Sequence, residues 1–255
     1  MSFYLKWIVA SFYILASASV CVVSMIPNLR LVLFPYGKTL SDRTGWAIIL
    51  VPKSWFSHFY MLGWVLTCLF IRNQFLTGIV PYMSIIFWLH TLRRLIECVL
   101  ISKTSPSSRM HITHYLVGLL FYICTSLVFY WADQAARHQT SWNFVRFIGL
   151  LIFAFASTEQ FMAHSYLASL RSSKSQTYPF PTQRYFKLVA CPHYTFELII
   201  YLAFALISQY WMSLLIVLWV FLDLHFAANL QFEWYRSKYP ERLSPDWGRW
   251  LPGIY

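Results

Sequence analysis

Long runs of apolar residues alternate with short polar stretches along the whole chain. A membrane-spanning helix needs about 20 mostly apolar residues, and seven of the runs reach or approach that length. The predicted helices are approximately Phe3–Ile26, Trp55–Ile71, Ile79–Ile101, Thr113–Trp131, Phe144–Phe161, Tyr194–Ser208 and Trp211–Phe232. The second and sixth are short and partly polar, so six or eight spans are alternatives to seven. The pattern predicts an all-α polytopic membrane bundle of about seven transmembrane helices.

The composition agrees with a lipid environment for these helices. Hydrophobic residues make up 58% of the 255-residue chain and charged residues only 11%, whereas roughly a quarter of the residues in soluble domains are charged. No internal repeat or soluble-domain linker interrupts the pattern. We therefore expect one membrane-embedded domain over residues 1–255, whose C-terminal half includes a polar loop at about 158–197 and a tail at 233–255.

Basic residues are unevenly distributed between the two sides of the predicted bundle. If the N-terminus is lumenal, 16 of the 20 Lys and Arg residues fall in cytosolic segments, and an excess of Lys and Arg marks the cytosolic side. The remaining four are Lys6, Arg72, Arg137 and Arg146. The net charge of +11 therefore indicates orientation rather than nucleic-acid binding. We predict a lumenal N-terminus and a cytosolic C-terminus.

Several familiar cofactor and metal motifs are absent from the sequence. The five cysteines have no CxxC spacing and mostly lie in apolar segments, so neither a disulfide nor a metal site is expected. The sequence also lacks the glycine patterns of Walker and Rossmann nucleotide sites and the HExxH and GxSxG motifs. A nucleotide cofactor would need a fold of another kind.

Ionisable residues cluster toward the predicted cytosolic ends of two helices. In the third helix, His90, Arg94 and Glu97 share one face, and Arg93 can reach Glu97 at i,i+4. Ionisable groups at membrane depth mark a cavity or a partner by default. An alternative is a basic helix end anchored at the lipid headgroups, with one internal ion pair.

A second polar face follows on the fifth helix. Gln160, His164 and Arg171 lie at i, i+4 and i+11, as the helix is predicted to emerge into the loop. An arginine donates two parallel hydrogen bonds to a phosphate, so this face is a candidate phosphate clamp. The alternative is an ordinary solvated helix end.

Two proline-opened segments carry further candidates. Pro192 stands where a helix can start, and His193 and Glu197 lie in its first two turns, which makes an anion or ribose site one interpretation. A plain helix start with a dipole-balancing acid is the other. At the start of the second helix, after Pro52, the sequence places His58 and Tyr60 in apolar surroundings, where either could donate a proton or simply fill the core.

These segments, taken together, resemble the steroid 5α-reductase family, and most closely its fungal-type polyprenol reductase branch. The resemblance covers nearly the whole chain. It is carried by VPKSWFSHFY at 51–60, HTLRRLIE at 90–97, SSRMHITHYLVG at 107–118, CPHY at 191–194, Glu197 and YRSKYP at 235–240. Each motif is short, but their order and spacing agree with the family.

The resemblance implies a seven-helix bundle that holds NADPH from the cytosolic side and admits a lipid substrate from the membrane. The residues that fall where family members contact NADPH, or in matching cofactor-side motifs, are Arg94, Glu97, Gln160, His164, Arg171, Tyr178, His193, Glu197 and Tyr235. The implied activity is reduction of the α-isoprene double bond of a polyprenyl lipid in dolichol biosynthesis. The implied location is the endoplasmic reticulum membrane.

Two departures from the steroid enzymes bear on the substrate. This chain has Phe59 and Thr91 where those enzymes hold a glutamate and a tyrosine, which argues against a steroid. The proton donor is then left among His58, Tyr60 and His90. An allylic alcohol offers no electron sink, whereas an α,β-unsaturated aldehyde does, so polyprenal is favoured over polyprenol as the species reduced.

Two other functions fit the same architecture. Membrane isoprenylcysteine methyltransferases also combine a lipid tunnel with a cytosolic cofactor, but they use S-adenosylmethionine. A non-enzymatic protein that binds or transports polyprenyl lipid could use the polar helix faces as a path. NADPH-dependent stabilisation and NADPH consumption separate the reductase from both.

Overall fold

Seven α-helices account for nearly all of the regular structure in a computed structural model that describes residues 2–26, 29, 37–39, 49–138, 143–171, 179–244 and 246–251. They are α1 Ser2–Met25, α2 Phe56–Leu76, α3 Tyr82–Ile96, α4 Ile112–Ala135, α5 Phe144–Ser169, α6 Pro192–Ser208 and α7 Met212–Lys238. Each overlaps one predicted segment. The only β-strands within the described residues are β1 Leu50–Pro52 and β2 Arg109–His111. The all-α prediction is confirmed.

Five of the helices, α1, α2, α4, α5 and α7, are long and apolar enough to cross a membrane. The other two are shorter, since α6 has 17 residues and α3 has 15. However, α3 continues without a break into a π-helical turn at Glu97–Ile101. Many large apolar side chains on these helices are exposed, as expected where lipid replaces water. The chain is therefore an all-α membrane protein.

Several helices extend past their predicted C-terminal ends, α5 and α7 the furthest. Helix α5 continues to Ser169, eight residues beyond Phe161, and α7 continues to Lys238 rather than ending at Phe232. In α5 the extension carries His164, which the sequence pattern placed near the emerging loop. Polar residues there did not end the helix because Gln160 and His164 hydrogen-bond to other helices within the bundle.

Close helix packing sets the shape of the bundle. Helix α5 lies along α6, and a Cβ atom on Gly149 would come within 3.2 Å of the carbonyl oxygen of Ala203. Small residues permit such close approach between membrane helices. On the other side, α1 packs against α7 and is joined to α4 by a 2.7 Å hydrogen bond between the hydroxyls of Tyr13 and Thr125.

The start of α3 is held by a buried acid from α4. The carboxylate of Asp133 accepts hydrogen bonds from the backbone N–H groups of Met83 at 2.8 Å and Ser84 at 3.0 Å, and from the Ser84 hydroxyl at 2.6 Å. The first N–H groups of a helix lack partners within the helix, and membrane offers none. Asp133 thus fixes the position of α3 along α4.

At one end of the bundle, α3, α5 and α7 end and α2, α4 and α6 begin; we call this the basic end. There β1 pairs antiparallel with β2 and ties the start of α2 to the start of α4. The chain after α7 folds back onto the segment before α6. There Gly248 forms an isolated β-bridge with Val189, and Nε1 of Trp247 donates a 2.8 Å hydrogen bond to the carbonyl of Phe186.

Candidate active site

Two adjoining cavities lie at the basic end. One, of about 260 Å³, has a polar wall and is called here the polar cavity. The other, of about 230 Å³, is walled mostly by aromatic and aliphatic side chains and is called the apolar cavity. The residues that line both are Phe56, Arg94, His164, His193 and Tyr194. A charged molecule in the polar cavity could therefore react at this junction with an apolar molecule in the other cavity.

The polar cavity has a strongly cationic wall. Its positively charged lining residues are Lys38, Lys53, Arg94, Lys103 and Arg171. Among the described residues, no aspartate or glutamate lines it. Several cations without an interspersed acid favour a polyanionic ligand, and such attraction strengthens away from bulk water.

Lys38 is brought to this cavity from the segment between α1 and α2. Its Nζ lies 3.8 Å from the ring centroid of Tyr235 and 4.0 Å from that of Trp234, both on the last turns of α7. Burial, and to a lesser extent the positive charges of Arg171 and Lys53, lowers the pKa of Lys38 to about 7. An anion bound nearby would raise this pKa and favour the charged ammonium.

Arg171 follows the end of α5 and is linked to the segment after α3. Its Nη1 donates to the carbonyl of Lys103, and Lys103 Nζ donates to the carbonyl of Arg171 at 3.1 Å. These reciprocal bonds hold two cations on one side of the polar cavity. Tyr235 lines the same cavity from α7. Tyr178, another predicted cofactor residue, lies outside the described residues.

Glu97 is the centre of a buried polar network. Its carboxylate accepts hydrogen bonds from Nη1 of both Arg93 and Arg94, which confirms the predicted Arg93–Glu97 pair. Nδ1 of His164 lies 2.7 Å from the same carboxylate. The same Nδ1 also lies 2.7 Å from Nη1 of Arg94, so His164 contacts both members of the Arg94–Glu97 pair. Glu97 is fully buried and lines neither cavity, so it orients the residues that do.

The network continues from α3 to α5 and α6. Nη2 of Arg93 donates to Gln160 Oε1 at 2.6 Å, and Gln160 Nε2 donates to the carboxylate of Glu197. The other oxygen of Glu197 lies 3.9 Å from Nε2 of the fully buried His90. Gln160 and Glu197 line the apolar cavity, whereas His90 lines neither. Three helices are thus fixed by one set of polar contacts.

Tyr60 lines the apolar cavity and is bound to Arg94, which lines both cavities. Its hydroxyl oxygen accepts a 2.9 Å hydrogen bond from Nη2 of Arg94. Within the described residues the hydroxyl has no acceptor for its own proton. A phenol in this position can donate to a group in the apolar cavity, and the adjacent guanidinium would stabilise negative charge on its oxygen.

The two remaining predicted histidines differ in their surroundings. His193, in the first turn of α6, lines both cavities, and its buried Nδ1 makes no hydrogen bond with any described residue. Such an atom needs a partner, which a ligand could supply. His58 lies outside both linings, and its Nδ1 is 3.1 Å from the hydroxyl of Tyr115. The network and cavities therefore bring together every described site residue except His58.

Some residues of the two cavities were not singled out by the sequence for these roles. Lys38 and Lys53 counted only toward orientation, although Lys53 directly follows Pro52 in a conspicuous motif. Asp223, to which the sequence pattern assigned no role, lines the apolar cavity. For Lys38 no local signal existed, because its neighbours in space are far away in the sequence.

Comparison with known proteins identifies related sequences. A family model described as 3-oxo-5-alpha-steroid 4-dehydrogenase matches residues 108–246. The chain is 34% identical over 215 residues to a polyprenal reductase of Saccharomyces cerevisiae, covering 81% of this chain and 79% of that protein. It is 30% identical over 257 residues to a polyprenal reductase of Xenopus laevis, covering 81% and 80%. The human polyprenal reductase is 27% identical over 239 residues, covering 74% and 73%.

Proposed function

The chain belongs to the 3-oxo-5-alpha-steroid 4-dehydrogenase family, and on that premise we propose that it is an NADPH-dependent polyprenal reductase of dolichol biosynthesis. One observation carries the proposal within the structure. The cationic polar cavity meets the apolar cavity at Arg94, which holds the hydroxyl of Tyr60. This arrangement suits a phosphorylated cofactor and an apolar lipid that react where the cavities join. The similarity to polyprenal reductases of yeast and vertebrates supports the substrate class.

The residues present fit NADPH. Its diphosphate and 2′-phosphate are polyanionic, and the polar cavity offers five cationic side chains and no acid among its described lining. Arg171 and Lys38 would hold phosphate groups, and His193, with its unsatisfied Nδ1, would meet a ribose or nicotinamide group. When bound, NADPH supplies a hydride to the β-carbon of an activated double bond.

The wall of the apolar cavity favours an isoprenoid over a steroid ketone. Phe59 lines it and carries no acidic group, and the Thr91 hydroxyl is turned to the carbonyls of its own helix. The glutamate and the tyrosine that the steroid enzymes hold at these two positions therefore have no counterpart in this chain. An unsaturated aldehyde is the isoprenoid form with a conjugated electron sink.

Tyr60 is the proposed hydrogen-bond donor to the aldehyde oxygen. Reduction at the β-carbon shifts the conjugated electrons onto that oxygen, so a donor placed beside it stabilises the transition state. The Arg94 guanidinium adds positive charge behind the phenol. His90 and His58 are less suited because neither lines a cavity. Glu97 positions Arg94 rather than touching substrate.

The proposal includes the topology and location. Seven spans, with α3 and α6 crossing among the longer helices, would put the N-terminus in the lumen and the C-terminus in the cytosol. The basic end, with Arg93, Arg94, Lys103 and Arg171, would then face the cytosol, as the positive-inside rule requires. One domain over residues 1–255 in the endoplasmic reticulum membrane accounts for this arrangement.

The test is NADPH oxidation by the purified, detergent-solubilised full chain. Polyprenal, polyprenol and a 3-oxo-4-ene steroid are presented separately, and products are identified by mass. We expect conversion of polyprenal to its α-saturated aldehyde, with no turnover of the steroid. Arg171→Lys should raise the KM for NADPH with little change in kcat, whereas the matched change Arg236→Lys, at an exposed position on α7, should alter neither.

Each other result has a distinct meaning. Turnover of polyprenol alone would keep the reductase family but overturn the electron-sink argument. Binding of NADPH without reduction of any of the three substrates would overturn the substrate assignment. If NADPH neither binds nor raises the thermal stability, a methyltransferase-like or lipid-transport function would replace the proposal.

A further inference from the structure

Asp223 is an acidic residue in the middle of α7 that the network at the junction does not include. It lines the apolar cavity and is only partly exposed. The other acid in that lining, Glu197, is held by Gln160. Asp223, by contrast, makes no hydrogen bond or ion pair with any residue that the structure describes. Its carboxyl therefore lacks a partner within an apolar wall.

An ionisable side chain at membrane depth is costly unless it faces a partner or a functional cavity. The neighbours of Asp223 on the same helix that share the lining are Trp219, Val220 and Leu224. From other helices the wall includes Phe59, Phe121, Tyr122 and Tyr201. The lining also holds Arg94 and three histidines, but Asp223 makes no hydrogen bond or ion pair with any of them. The missing partner is then expected to enter the cavity.

We propose that Asp223 donates a hydrogen bond to the oxygen at the polar end of the isoprenoid substrate. This inference rests on the proposed function and makes it more specific. An aldehyde oxygen only accepts hydrogen bonds, so Asp223 must present its carboxylic O–H to it. That form also avoids an uncompensated charge in the apolar wall.

The proposal gives the aldehyde oxygen two donors from two different helices that line one cavity. Tyr60 reaches the cavity from α2 and Asp223 from α7. A carbonyl oxygen has two lone pairs, and both hydrogen bonds strengthen as negative charge accumulates on it. A hydrocarbon chain alone gains nothing from Asp223. The residue therefore selects for an oxygenated isoprenoid and aligns its α-unit.

The variants Asp223→Leu and Asp223→Asn separate hydrogen bonding from packing. Leucine keeps a branched side chain, with a larger volume, and has no donor, whereas asparagine keeps both the size of aspartate and an N–H donor. With farnesal as a short polyprenal, we expect kcat/KM to fall about 10- to 100-fold in D223L and to stay within about threefold in D223N. Glu233→Gln, an exposed acid on the same helix, is the matched control and should change nothing. NADPH-dependent thermal stabilisation should be equal in all variants, which checks their folding.

A binding measurement without NADPH keeps this test independent of turnover. Wild-type protein should bind farnesal about tenfold more tightly than farnesene, which lacks the oxygen, and D223L should lose most of that preference, keeping only the part that Tyr60 supplies. Equal kcat/KM in D223L and wild type, or equal loss in D223L and D223N, would overturn the donor role. Absence of farnesal reduction by the wild type would instead count against the proposed function, while the binding preference would still decide the role of Asp223.

Discussion

Arg94 on α3 donates a 2.9 Å hydrogen bond to the hydroxyl of Tyr60 on α2, and the proton of that hydroxyl has no acceptor among the described residues. The pair is thus arranged to donate rather than to accept. The guanidinium fixes the oxygen and supplies positive charge, while the phenolic O–H remains available to the apolar cavity. The chemistry proposed for this protein depends on these two separate roles of Arg94 and Tyr60.

Tyr60→Phe should lower kcat for polyprenal about 10²- to 10⁴-fold, because it removes a donor that acts mainly in the transition state. The KM for NADPH should change little, since Tyr60 does not line the polar cavity. Steady-state kinetics of purified protein, with each substrate varied in turn, measures both. Tyr130→Phe is the matched control, because the Tyr130 hydroxyl bonds to Asn73 far from the cavities. A kcat within threefold of wild type in Y60F would remove Tyr60 from the mechanism.

Glu97→Gln tests the buried network. The change keeps the shape but removes the charge that compensates Arg93 and Arg94, and breaking a buried ion pair costs about 3–5 kcal/mol. We expect a lower unfolding temperature together with a loss of kcat, since Arg94 would no longer be fixed beside Tyr60. Thermal unfolding in detergent and product formation provide the two measurements.

The control for this prediction is another acid–arginine pair. Glu233 lies 3.8 Å from Arg236, both side chains are more than half exposed, and exposed pairs contribute about 0–1 kcal/mol. Glu233→Gln should therefore leave stability and activity nearly unchanged. Equal effects of the two substitutions would mean that Glu97 contributes no more than a surface charge.

The sequence predicted those features that depend on local spacing. Apolar runs located all seven helices, and the i,i+4 spacing correctly paired Arg93 with Glu97. Contacts between helices were a different matter. The link from Arg94 to Tyr60 spans 34 residues, and helical periodicity does not state which faces of two helices meet. The sequence could only indicate Tyr60 as one of three candidate proton donors.

Helix ends and caps were predicted less well for the same reason. Polar residues such as Gln160 and His164 are typical of an emerging loop, yet here they hydrogen-bond to Arg93 and Glu97 and the helix continues. The approach of Lys38 to Tyr235 joins opposite ends of the chain. Tertiary partners decide both features, and a single sequence does not contain that information in any local pattern.

Asp133→Ala should destabilise the bundle without directly altering the site. The substitution leaves the first N–H groups of α3 and the hydroxyl of Ser84 without an acceptor in a buried region. Lost hydrogen bonds to a charged group cost about 1.5–3 kcal/mol, which corresponds to a drop of about 3–12 °C in Tm for a chain of this size. A fluorescence-monitored melt measures it, with the exposed Asp246→Ala as control. An unchanged Tm would show that α3 does not need this cap.

Lys38 should make NADPH binding dependent on pH near neutrality. Its pKa is lowered to about 7 mainly by burial, so in the free protein the ammonium is charged below about pH 7 and neutral above it. A phosphate group binds the charged form, and the KM for NADPH should therefore rise about three- to tenfold between pH 6 and pH 8. In Lys38→Met the KM should already be high at pH 6, and the rise with pH should disappear. The 2′-phosphate itself gains negative charge over part of this range. This gain opposes the rise in KM and is present equally in the variant.

Lys187→Met, at an exposed lysine outside both cavity linings, is the control and should keep the wild-type profile. If K38M and wild type show parallel profiles, the charge of Lys38 does not contribute to cofactor binding, and the cation selecting the phosphate must be sought among Lys53, Lys103 and Arg171.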